Sequence, residues 1–543
     1  MSGGGLAIKH GWWRDAVIYQ IYPRSFADGN GDGIGDLAGI RDRLGYLAQL
    51  GIDAIWLSPF YVSPQTDAGY DVADYRDVDP IFGTLDDFDR LLADAHAVGF
   101  RVIVDLVPNH TSSAHEWFVA ARGAAPGTRE RGRYIFRDGR GAGGELPPNN
   151  WVSVFGGSAW TRVDDGQWYL HLFDKTQPDL NWDNPEVVEE FDSILRFWLD
   201  RGVDGFRVDV AHGLAKVPGL PDTDSMAVLL ATTSNVGPMW DQEEVHAIYR
   251  RWHSVLAEYD DDRILVAEAW VSPSSRLSRY VRPDEMQQAF NFEFMTTGWN
   301  SRELHRSISA ALSDNGSVGA TTTWVLSNHD VVRHATRFGL ADPTSWPKGI
   351  GADDEQPIAE LGLRRARAAS LLMFALPGSA YVFEGEELGL PEHTSLPAAS
   401  RQDPAFFRTM GAEAGRDGCR VPLPWNSTAP AFGFSTAGKS WLPQPEEFAE
   451  LAVDRQDGVA GSTLELYRST LSIRRERKLG TGTLEWIGST DEVLDFENSG
   501  VRVITNFGSI PLPLPHGLSV LLASDEDAVV RNTLDPDSTV WLA

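Results

Sequence analysis

The chain of 543 residues has one cysteine, Cys419, and no long apolar run. A single cysteine cannot form an internal disulfide or a cysteine metal cluster, and this is typical of proteins in the reducing cytoplasm. Because no run of about 18 apolar residues occurs, the sequence predicts no membrane-spanning helix. The N-terminal segment also lacks the apolar core of a signal peptide. We therefore expect a cytoplasmic protein that has no membrane partner.

Basic residues are scarce as well. The 47 Lys and Arg residues stand against 77 Asp and Glu residues, which gives a formal net charge of −30. Such a surface repels the phosphates of nucleic acids, so we expect no nucleic-acid partner. Hydrophobic residues make up 42% of the chain, which is typical of a globular protein. At this length the chain can form one large domain and one or two smaller ones.

One unit recurs along the chain: an amphipathic helix, a glycine that ends it, and a short apolar strand. The three clearest helices precede Gly51, Gly99 and Gly202, and the first of them covers residues 37–50. Repeated units of this kind predict parallel strands flanked by helices. The predicted strands lie at 16–22, 53–59, 101–107, 205–210, 263–270, 287–294, 321–330 and 379–387. Eight such strands predict an α/β fold, the (β/α)8 TIM barrel.

Two departures from this pattern suggest further domains. Residues 111–182 are irregular and rich in Gly, Pro and Trp, which predicts an inserted subdomain after strand 3. From residue 481 the helical period gives way to short alternating runs, which predict a C-terminal antiparallel β domain over 481–543. The barrel itself is then expected to comprise 1–110 and 183–480.

Polar side chains follow several of the apolar strands, where barrel enzymes place their chemistry. These residues are His110 after the third strand, Arg207 and Asp209 at the fourth, Glu268 at the fifth, and His329 and Asp330 at the seventh. A buried ion pair between Arg207 and Asp209 would by itself be a purely structural explanation. Such an ion pair does not explain why three acids lie around one rim. Acids that are close together repel one another and their pKa values rise, so a purely structural cluster has no reason to gather them.

Paired carboxylates of this kind can hydrolyse a glycosidic bond, with one acting as an acid and the other as a nucleophile. Arg207 lies two residues before Asp209, on the same face of the strand, and is expected to keep that aspartate ionised. Glu268 follows the apolar run "ILVA", so partial desolvation would raise its pKa and let it donate a proton. The residues thus point to glycoside hydrolysis.

The stretch "DGNGDGIGD" is a candidate metal-binding loop. Its oxygen donors are the side chains of Asp28, Asn30, Asp32 and Asp36 and the carbonyl of Ile34. They match the early positions of a calcium loop, but Gly39 stands where an EF-hand needs glutamate. A Gly/Asp turn without an ion is the alternative. The stretch also fails to fit G-x-G-x-x-G, so no organic cofactor is expected.

The segments "DLVPNH", "GFRVDVAHG", "VAEAW" and "LSNHD" resemble the four signature segments of the α-amylase family of glycoside hydrolases (family 13), and "QPDLNW" resembles its fifth. Two more, "TDAGYD" and "RDGCRVPLPW", are similar to segments of its α-glucosidase and oligo-1,6-glucosidase branch. The resemblance covers essentially the whole chain. It implies the same barrel, inserted subdomain and C-terminal β domain.

The resemblance also implies roles for individual residues. It implies that Asp209 is the nucleophile, Glu268 the general acid and base, and Asp330 the carboxylate that stabilises the transition state. The sugar would be bound by His110, Arg207 and His329, stacked on by Tyr70, and clamped by Asp67 with Arg416, or with Arg420 in place of Arg416. The loop of the similar glucosidases holds a structural Ca²⁺ or Mg²⁺ ion, here through Asp28, Asn30, Asp32, Ile34 and Asp36.

For activity, the resemblance implies a retaining, exo-acting α-glucosidase that acts on maltose and short oligosaccharides. In this branch valine after the nucleophile, here Val210, accompanies α-1,6 cleavage, whereas "VAHG" departs from the "VIN" of the α-1,6 enzymes. An oligo-1,6-glucosidase is therefore one alternative, and a transglycosylating or isomerising enzyme of the sucrose or trehalose type is another. A catalytically dead interaction subunit is the non-enzyme alternative, although the chain keeps all three acids. The oligomeric state stays open.

Overall fold

A computed structural model describes residues 11–223, 237–259 and 262–543. Its central feature is a sheet of eight parallel strands in the order β6-β5-β4-β3-β2-β1-β8-β7. The strands are β1 (Val17–Ile21), β2 (Ala54–Leu57), β3 (Arg101–Leu106), β4 (Gly205–Val208), β5 (Ile264–Ala267), β6 (Gln288–Ala289), β7 (Thr323–Val325) and β8 (Ser379–Phe383). A parallel bridge between Phe290 and Thr323 joins the first and last strands of this order. The sheet therefore closes into the barrel that the sequence predicts.

Helices surround the barrel. The longer ones are α1 (Leu37–Asp42), α2 (Leu44–Leu50), α3 (Leu85–Ala97), α4 (Pro185–Arg201), α5 (Val245–Leu256), α6 (Ser301–Ser317), α7 (Ala359–Phe374) and α8 (Thr463–Arg477). Their ends follow local chemistry: Thr84 and Asp87 form a capping box on α3, and Asn184 caps α4. Gly202 ends α4 with φ of 103°, a left-handed conformation that glycine adopts without a steric penalty.

Two predicted elements differ from the structure. The single helix expected over 37–50 is broken at Arg43, which is shared as the end residue of α1 and α2. The strand expected over 287–294 is only the two residues of β6, because the side chain of Asn291 accepts a hydrogen bond from Phe294 N and caps a helix at Phe292–Thr296. Apolar runs of this length do not distinguish a strand from a short buried helix.

Residues 111–182 contain a helix at Glu116–Gly123 and a separate three-stranded antiparallel sheet. The strands of this sheet are Phe136–Asp138, Trp160–Arg162 and Gln167–Leu170. The segment follows β3, at the end of the barrel where the predicted catalytic residues lie. Its position therefore lets it form one wall of a site there.

The end of the chain forms an antiparallel β domain, as the sequence predicts. Its main sheet has five strands, Leu484–Ser489, Val493–Asn498, Val501–Asn506, Val520–Ala523 and Ser538–Leu542. The domain packs on α7 of the barrel, where Trp541 Nε1 donates to Leu371 O and Thr539 Oγ1 donates to Ala368 O. Among the helices of the described ranges, none is both long and apolar enough to cross a membrane.

Candidate active site

A buried arginine organises the carboxyl end of β4. Arg207 Nη1 lies 2.5 Å from Asp209 Oδ1 and 2.9 Å from Asp105 Oδ1. Its other terminal nitrogen, Nη2, lies 3.9 Å from Glu268 Oε2. All four side chains are buried, so one guanidinium holds three carboxylates away from bulk water. The predicted nucleophile and the predicted acid thus lie on the same cation.

Glu268 comes directly after β5 and is anchored by the chain that follows Asp209. Its Oε2 accepts a hydrogen bond of 2.7 Å from Val210 N. Burial raises the pKa of Glu268, and burial and repulsion between the two carboxylates raise that of Asp209 as well. Because Arg207 is much closer to Asp209, the negative charge is favoured there and the proton on Glu268. This gives the pair one ionised and one protonated member.

The third acid, Asp330, follows β7 in a cationic setting. Its Oδ1 accepts hydrogen bonds from Arg416 Nη1 at 3.0 Å and Arg420 Nη2 at 2.9 Å. Burial alone would raise the pKa of Asp330, but the positive charges of Arg416, Arg420 and Arg207 outweigh it and hold the pKa well below its ordinary value. Asp330 is therefore a permanently charged carboxylate at neutral pH.

His329 is neutral in this site, because burial lowers its pKa well below the ordinary value. Gln20 Nε2 lies 2.7 Å from His329 Nδ1 and also donates to Ser58 Oγ. Nδ1 therefore acts as the acceptor and Nε2 carries the ring hydrogen. Within the described part of the chain Nε2 is buried, makes no hydrogen bond and lies 3.4 Å from Asp330 Oδ2.

The predicted glucose clamp lies beside Asp330. Arg416 Nη2 is 2.7 Å from Asp67 Oδ1, and Arg416 Nε is 2.7 Å from Asp403 Oδ2. Arg420 instead binds the carbonyl of His329 and Asp330. The arginine in contact with Asp67 is therefore Arg416.

The walls of the site are aromatic and neutral. The ring of Tyr70 stacks on His329 with centroids 5.2 Å apart, and its hydroxyl donates to Asp105 Oδ2 at 3.0 Å. Burial lowers the pKa of His110 to about 4. Gln177 Nε2 lies 3.2 Å from His110 Nε2 and donates to Asp67 Oδ2 at 3.0 Å. One amide thus holds two of the predicted sugar-binding residues.

Sequence reasoning missed several residues that complete the site. Asp105 joins Arg207 to Tyr70 and Trp56, Gln177 holds Asp67 and His110, Asp403 binds Arg416, and Trp270 lowers the pKa of Glu268. Asp105 carries a usable signal, since it is the one charge within the apolar run "VIVDLV". The others lie in loops, which have no repeating pattern from which the direction of a side chain can be predicted.

The candidate metal loop lies apart from these residues, before α1. Asp28 Oδ1 and Oδ2 accept hydrogen bonds from Gly31 N and Gly33 N, and Asp36 caps α1 through Gly39 N. Over the described ranges, no group of three or more His, Cys, Asp or Glu residues is placed to hold a metal ion. The donors are nevertheless carboxylate, amide and carbonyl oxygens, the ligands of a hard cation, and the carboxylates at both ends of the loop are buried. The types of oxygen donor in the loop therefore fit Ca²⁺ or Mg²⁺, although the donors are not already clustered around one point.

Comparison with known proteins identifies the family to which the chain belongs. Residues 20–482 match the family model described as alpha amylase, catalytic domain. The chain is 39% identical to a probable alpha-glucosidase of Rhizobium meliloti over 90% of this chain and 87% of the relative. It is 37% identical to maltase 1 of Drosophila virilis, over 87% and 74%. It is also 34% identical to an oligo-1,6-glucosidase of Parageobacillus thermoglucosidasius, over 91% and 90%.

Solved structures give the same picture. The alpha-glucosyl transfer enzyme XgtA superposes with a TM-score of 0.84 at 35% identity, covering 98% of this chain and 99% of that one. The trehalulose synthase MutB of Pseudomonas mesoacidophila superposes with a TM-score of 0.85 at 33% identity, with the same coverage. The likeness therefore extends over the whole length of both chains.

Proposed function

The chain belongs to the α-amylase family of glycoside hydrolases, and we propose that it is a retaining, exo-acting α-glucosidase that hydrolyses maltose and short α-glucooligosaccharides. The observation that carries the proposal is the single guanidinium of Arg207, 2.5 Å from Asp209 and 3.9 Å from Glu268. This geometry supports a pair of carboxyl groups that share one cation, with Asp209 as the ionised and Glu268 as the protonated member, as glycoside hydrolysis requires.

In the proposed mechanism Asp209 attacks the anomeric carbon while Glu268 protonates the glycosidic oxygen. The bond to the leaving sugar breaks and a covalent glucosyl ester forms on Asp209. Glu268, now ionised, then takes a proton from water, which attacks the same carbon and releases Asp209. Two inversions give net retention. The permanent negative charge of Asp330 stabilises the oxocarbenium-like transition states of both steps.

Exo-action is supported by the clamp beside Asp330. Asp67, Arg416 and Asp403 form a chain of ion pairs at 2.7 Å that offers charged hydrogen-bond partners for the hydroxyl groups of one terminal glucose. Tyr70 and His329, stacked on each other, add a flat wall. Such a set supplies the hydrogen-bond partners and the flat contact that one terminal sugar ring needs.

Linkage preference is proposed as α-1,4, with α-1,6 as the alternative. The relatives include both a maltase and an oligo-1,6-glucosidase. Val210 lies between the two catalytic carboxylates in the structure, since it follows Asp209 and its N–H binds Glu268. It also has a positive φ of 47°, which is unusual for a β-branched residue. Its side chain is part of a buried apolar cluster that includes Leu220 and Trp240.

Transfer to a sugar is the second candidate activity. It is favoured by the likeness to a glucosyl transfer enzyme and a trehalulose synthase. The covalent ester on Asp209 reacts with whichever hydroxyl reaches it first, so exclusion of water decides between hydrolysis and transfer. The same catalytic residues serve both reactions.

One assay separates these possibilities. The enzyme is incubated with equal concentrations of maltose, isomaltose, sucrose and trehalose, products are followed by chromatography, and the anomer first released is identified by NMR. We expect α-glucose, chiefly from maltose. A preference for isomaltose would assign the α-1,6 activity, and longer or rearranged sugars would assign transfer or isomerisation. First release of β-glucose would contradict retention.

We also propose a structural Ca²⁺ or Mg²⁺ ion in the loop, held by Asp28, Asn30, Asp32, the carbonyl of Ile34, and Asp36. The ion would link the loop to the start of α1 and supply no chemistry to the reaction. Elemental analysis is expected to find about one ion per chain. Chelation should lower Tm, and Ca²⁺ or Mg²⁺ should restore it, with Asp28→Asn insensitive to both. A chelated protein with an unchanged Tm would contradict the proposal.

A cytoplasmic location is proposed on the basis of Cys419. A chain with a single cysteine forms no internal disulfide, which is typical of proteins in a reducing compartment. Fractionation of cells that express the full chain tests this location. Recovery in the secreted or membrane fraction would contradict it.

A further inference from the structure

A cavity of about 250 Å³ opens at the amino ends of β5, β6 and β7, opposite the catalytic end of the barrel. Arg263, Gln287 and Thr321 border it just before these three strands begin, and Trp13 and Arg14 border it from the segment before β1. Because barrel enzymes react at the carboxyl ends of their strands, this cavity plays no part in the reaction described above.

Most of the polar side chains that line the cavity are hydrogen-bond donors. Among the described residues that line it there are three arginines and a histidine but no aspartate or glutamate. Each arginine uses one terminal nitrogen within the described chain: Arg14 Nη1 on Gly319 O, Arg263 Nη1 on Asp204 Oδ1, and Arg282 Nη2 on Glu285 Oε1. The second terminal nitrogen of each has no protein partner there. Three forks thus retain donors for a ligand.

The acids behind the cavity are too few to neutralise these arginines. Asp204, Asp262 and Glu285 are the carboxylates concerned. The ion pairs are Arg101 and Arg263 with Asp204, Arg101 with Asp262, and Arg250 and Arg282 with Glu285. Four guanidiniums therefore share three carboxylates, and Arg14 adds a fifth that has no carboxylate partner among the described residues. Among the groups that form these ion pairs, guanidiniums thus outnumber carboxylates.

The rest of the lining is apolar or neutral. Trp13, Leu256, Met286 and Val318 supply apolar surface, and the Oγ1 atom of Thr321 is buried without a hydrogen-bond partner in the described structure. A free phosphate ion would use the arginines but not the indole ring of Trp13. A sugar ring packs its C–H face against an aromatic ring such as that of Trp13.

We propose that this cavity binds a monosaccharide phosphomonoester, with its phosphate on Arg14, Arg263 and Arg282 and its sugar ring against Trp13. Guanidinium groups are suited to phosphate because their planar forks form paired, charge-assisted hydrogen bonds. The site is separate from the catalytic centre, so the inference does not depend on which glucoside the enzyme cleaves.

Titration calorimetry with glucose 6-phosphate, inorganic phosphate and glucose tests the proposal. Two variants alter the cavity: Arg14→Gln removes a guanidinium that has no carboxylate partner, and Ala320→Leu fills the space. Arg455→Gln, at an exposed ion pair with Glu450, is the matched control for the loss of one charge. Thermal unfolding establishes that each variant is folded, and all three should keep the wild-type kcat and KM on maltose.

We expect one site for glucose 6-phosphate, weakened roughly tenfold or more in both cavity variants and unchanged in Arg455→Gln. Phosphate should bind more weakly than glucose 6-phosphate, and inhibition of maltose hydrolysis should not be competitive. Equal affinity for phosphate and glucose 6-phosphate would overturn the sugar part of the proposal. Absence of binding, or binding that is competitive with maltose and unaffected by the cavity variants, would overturn it entirely.

Discussion

The guanidinium of Arg207 explains why charged residues occupy an apolar strand. Burying one carboxylate without a partner is strongly unfavourable, yet Asp105, Asp209 and Glu268 are all buried around this one cation. A single positive charge cannot neutralise three acids, and burial raises the pKa of each of them. Burial is thus the main cause that favours the protonated form of the acid catalyst Glu268.

Replacing the nucleophile tests this assignment. Asp209→Asn keeps the size of the side chain but removes the attacking oxygen, so kcat on maltose should fall by at least about 10³-fold. Tm should change little, because the amide still fits beside Arg207. The exposed Asp491→Asn is the control with the same chemical change. If the Asp209→Asn protein retained more than about a tenth of the activity, another residue would be the nucleophile.

Trp270 is expected to tune the acid catalyst. Burial raises the pKa of Glu268, whereas Arg207, Val210 N–H and the Trp270 side chain lower it by favouring the carboxylate. Trp270→Phe removes one of these donors and keeps a ring to stack on Phe292, 4.2 Å away in the native protein. The pKa of Glu268 should then rise.

Because Glu268 acts in its protonated form, activity falls as pH rises through its pKa. The basic limb of the kcat profile of Trp270→Phe should therefore shift to higher pH. Phe292→Leu, which removes the stacking partner but keeps the indole N–H, serves as the control. A basic limb that moved to lower pH, or an equal shift in both variants, would contradict this role for Trp270.

At the level of single residues, the sequence indicates site residues only where they belong to or follow a regular strand, because the alternation of side chains along a strand shows where they lie. Arg207, Asp209, Glu268 and Asp330 follow or end apolar strands, so their common rim can be inferred from strand ends alone. Gln177, in contrast, reaches Asp67 and His110 from a loop more than 60 residues away from either. Contacts of this kind depend on tertiary packing, which spacing along the chain does not express.

Among the elements, the segment after β8 has an unusual concentration of buried acids. The short 3-10 helix Glu386–Leu388 is entirely buried, and burial raises the pKa of Glu386 to about 8. In the unfolded chain this carboxyl group ionises near its ordinary value. Between these two pKa values the folded protein keeps a proton that the unfolded chain releases. The stability that Glu386 contributes is therefore full at low pH and is lost as pH rises towards 8.

Glu386→Gln removes this pH dependence. The neutral amide has the same shape, and its oxygen can still accept the hydrogen bond of 3.1 Å from Phe383 N. Relative to the wild type, the variant should gain Tm at pH 8 and gain little or nothing at pH 5. Glu450→Gln, at an exposed position, is the control and should behave alike at both pH values. An equal change in Tm at pH 5 and pH 8 would show that Glu386 is ionised in both folded and unfolded chains.

Elements with long, clear periods are predicted best from the sequence. Helix α3 has both a capping box and an apolar stripe, and α4 has an Asn cap, proline in its first turn and a terminal glycine. The short β6 strand has no comparable signal, since apolar neighbours such as Phe290 and Phe292 are compatible with either a strand or a helix. Here the cap at Asn291 decides the structure, and its effect depends on packing as much as on sequence.

On the scale of the whole molecule, three parts of the chain that are distant in sequence meet at the site. They are the barrel, the segment that follows β3 and the irregular region after β8. Arg408, in the long irregular region after β8, lies 3.3 Å from Asp174 and 3.3 Å from Ser153 in the segment that follows β3. In the same region Asp403 binds Arg416. The composition of residues 111–182 predicts an irregular segment there, but which loops meet over the barrel follows only from the closed fold.

The net charge of −30 also affects the molecule as a whole, because like charges repel across its compact surface. Raising ionic strength from about 10 mM to about 150 mM shortens the Debye length from about 30 Å to about 8 Å. This screening should raise Tm at pH 7.5 by roughly 1–3 °C. Near pH 5, close to the isoelectric point of about 4.7, the gain should disappear.

Maltose provides the control within the same experiment. Because maltose is uncharged, the field of the protein does not steer it, and kcat/KM should stay constant over this range of salt while Tm rises. Exposed ion pairs such as Arg302 with Asp491 act in the opposite direction, since salt weakens them. A fall in Tm with salt at pH 7.5 would mean that these pairs outweigh the global repulsion. A rise of the same size at pH 5 would trace the effect to salt-strengthened burial rather than to charge.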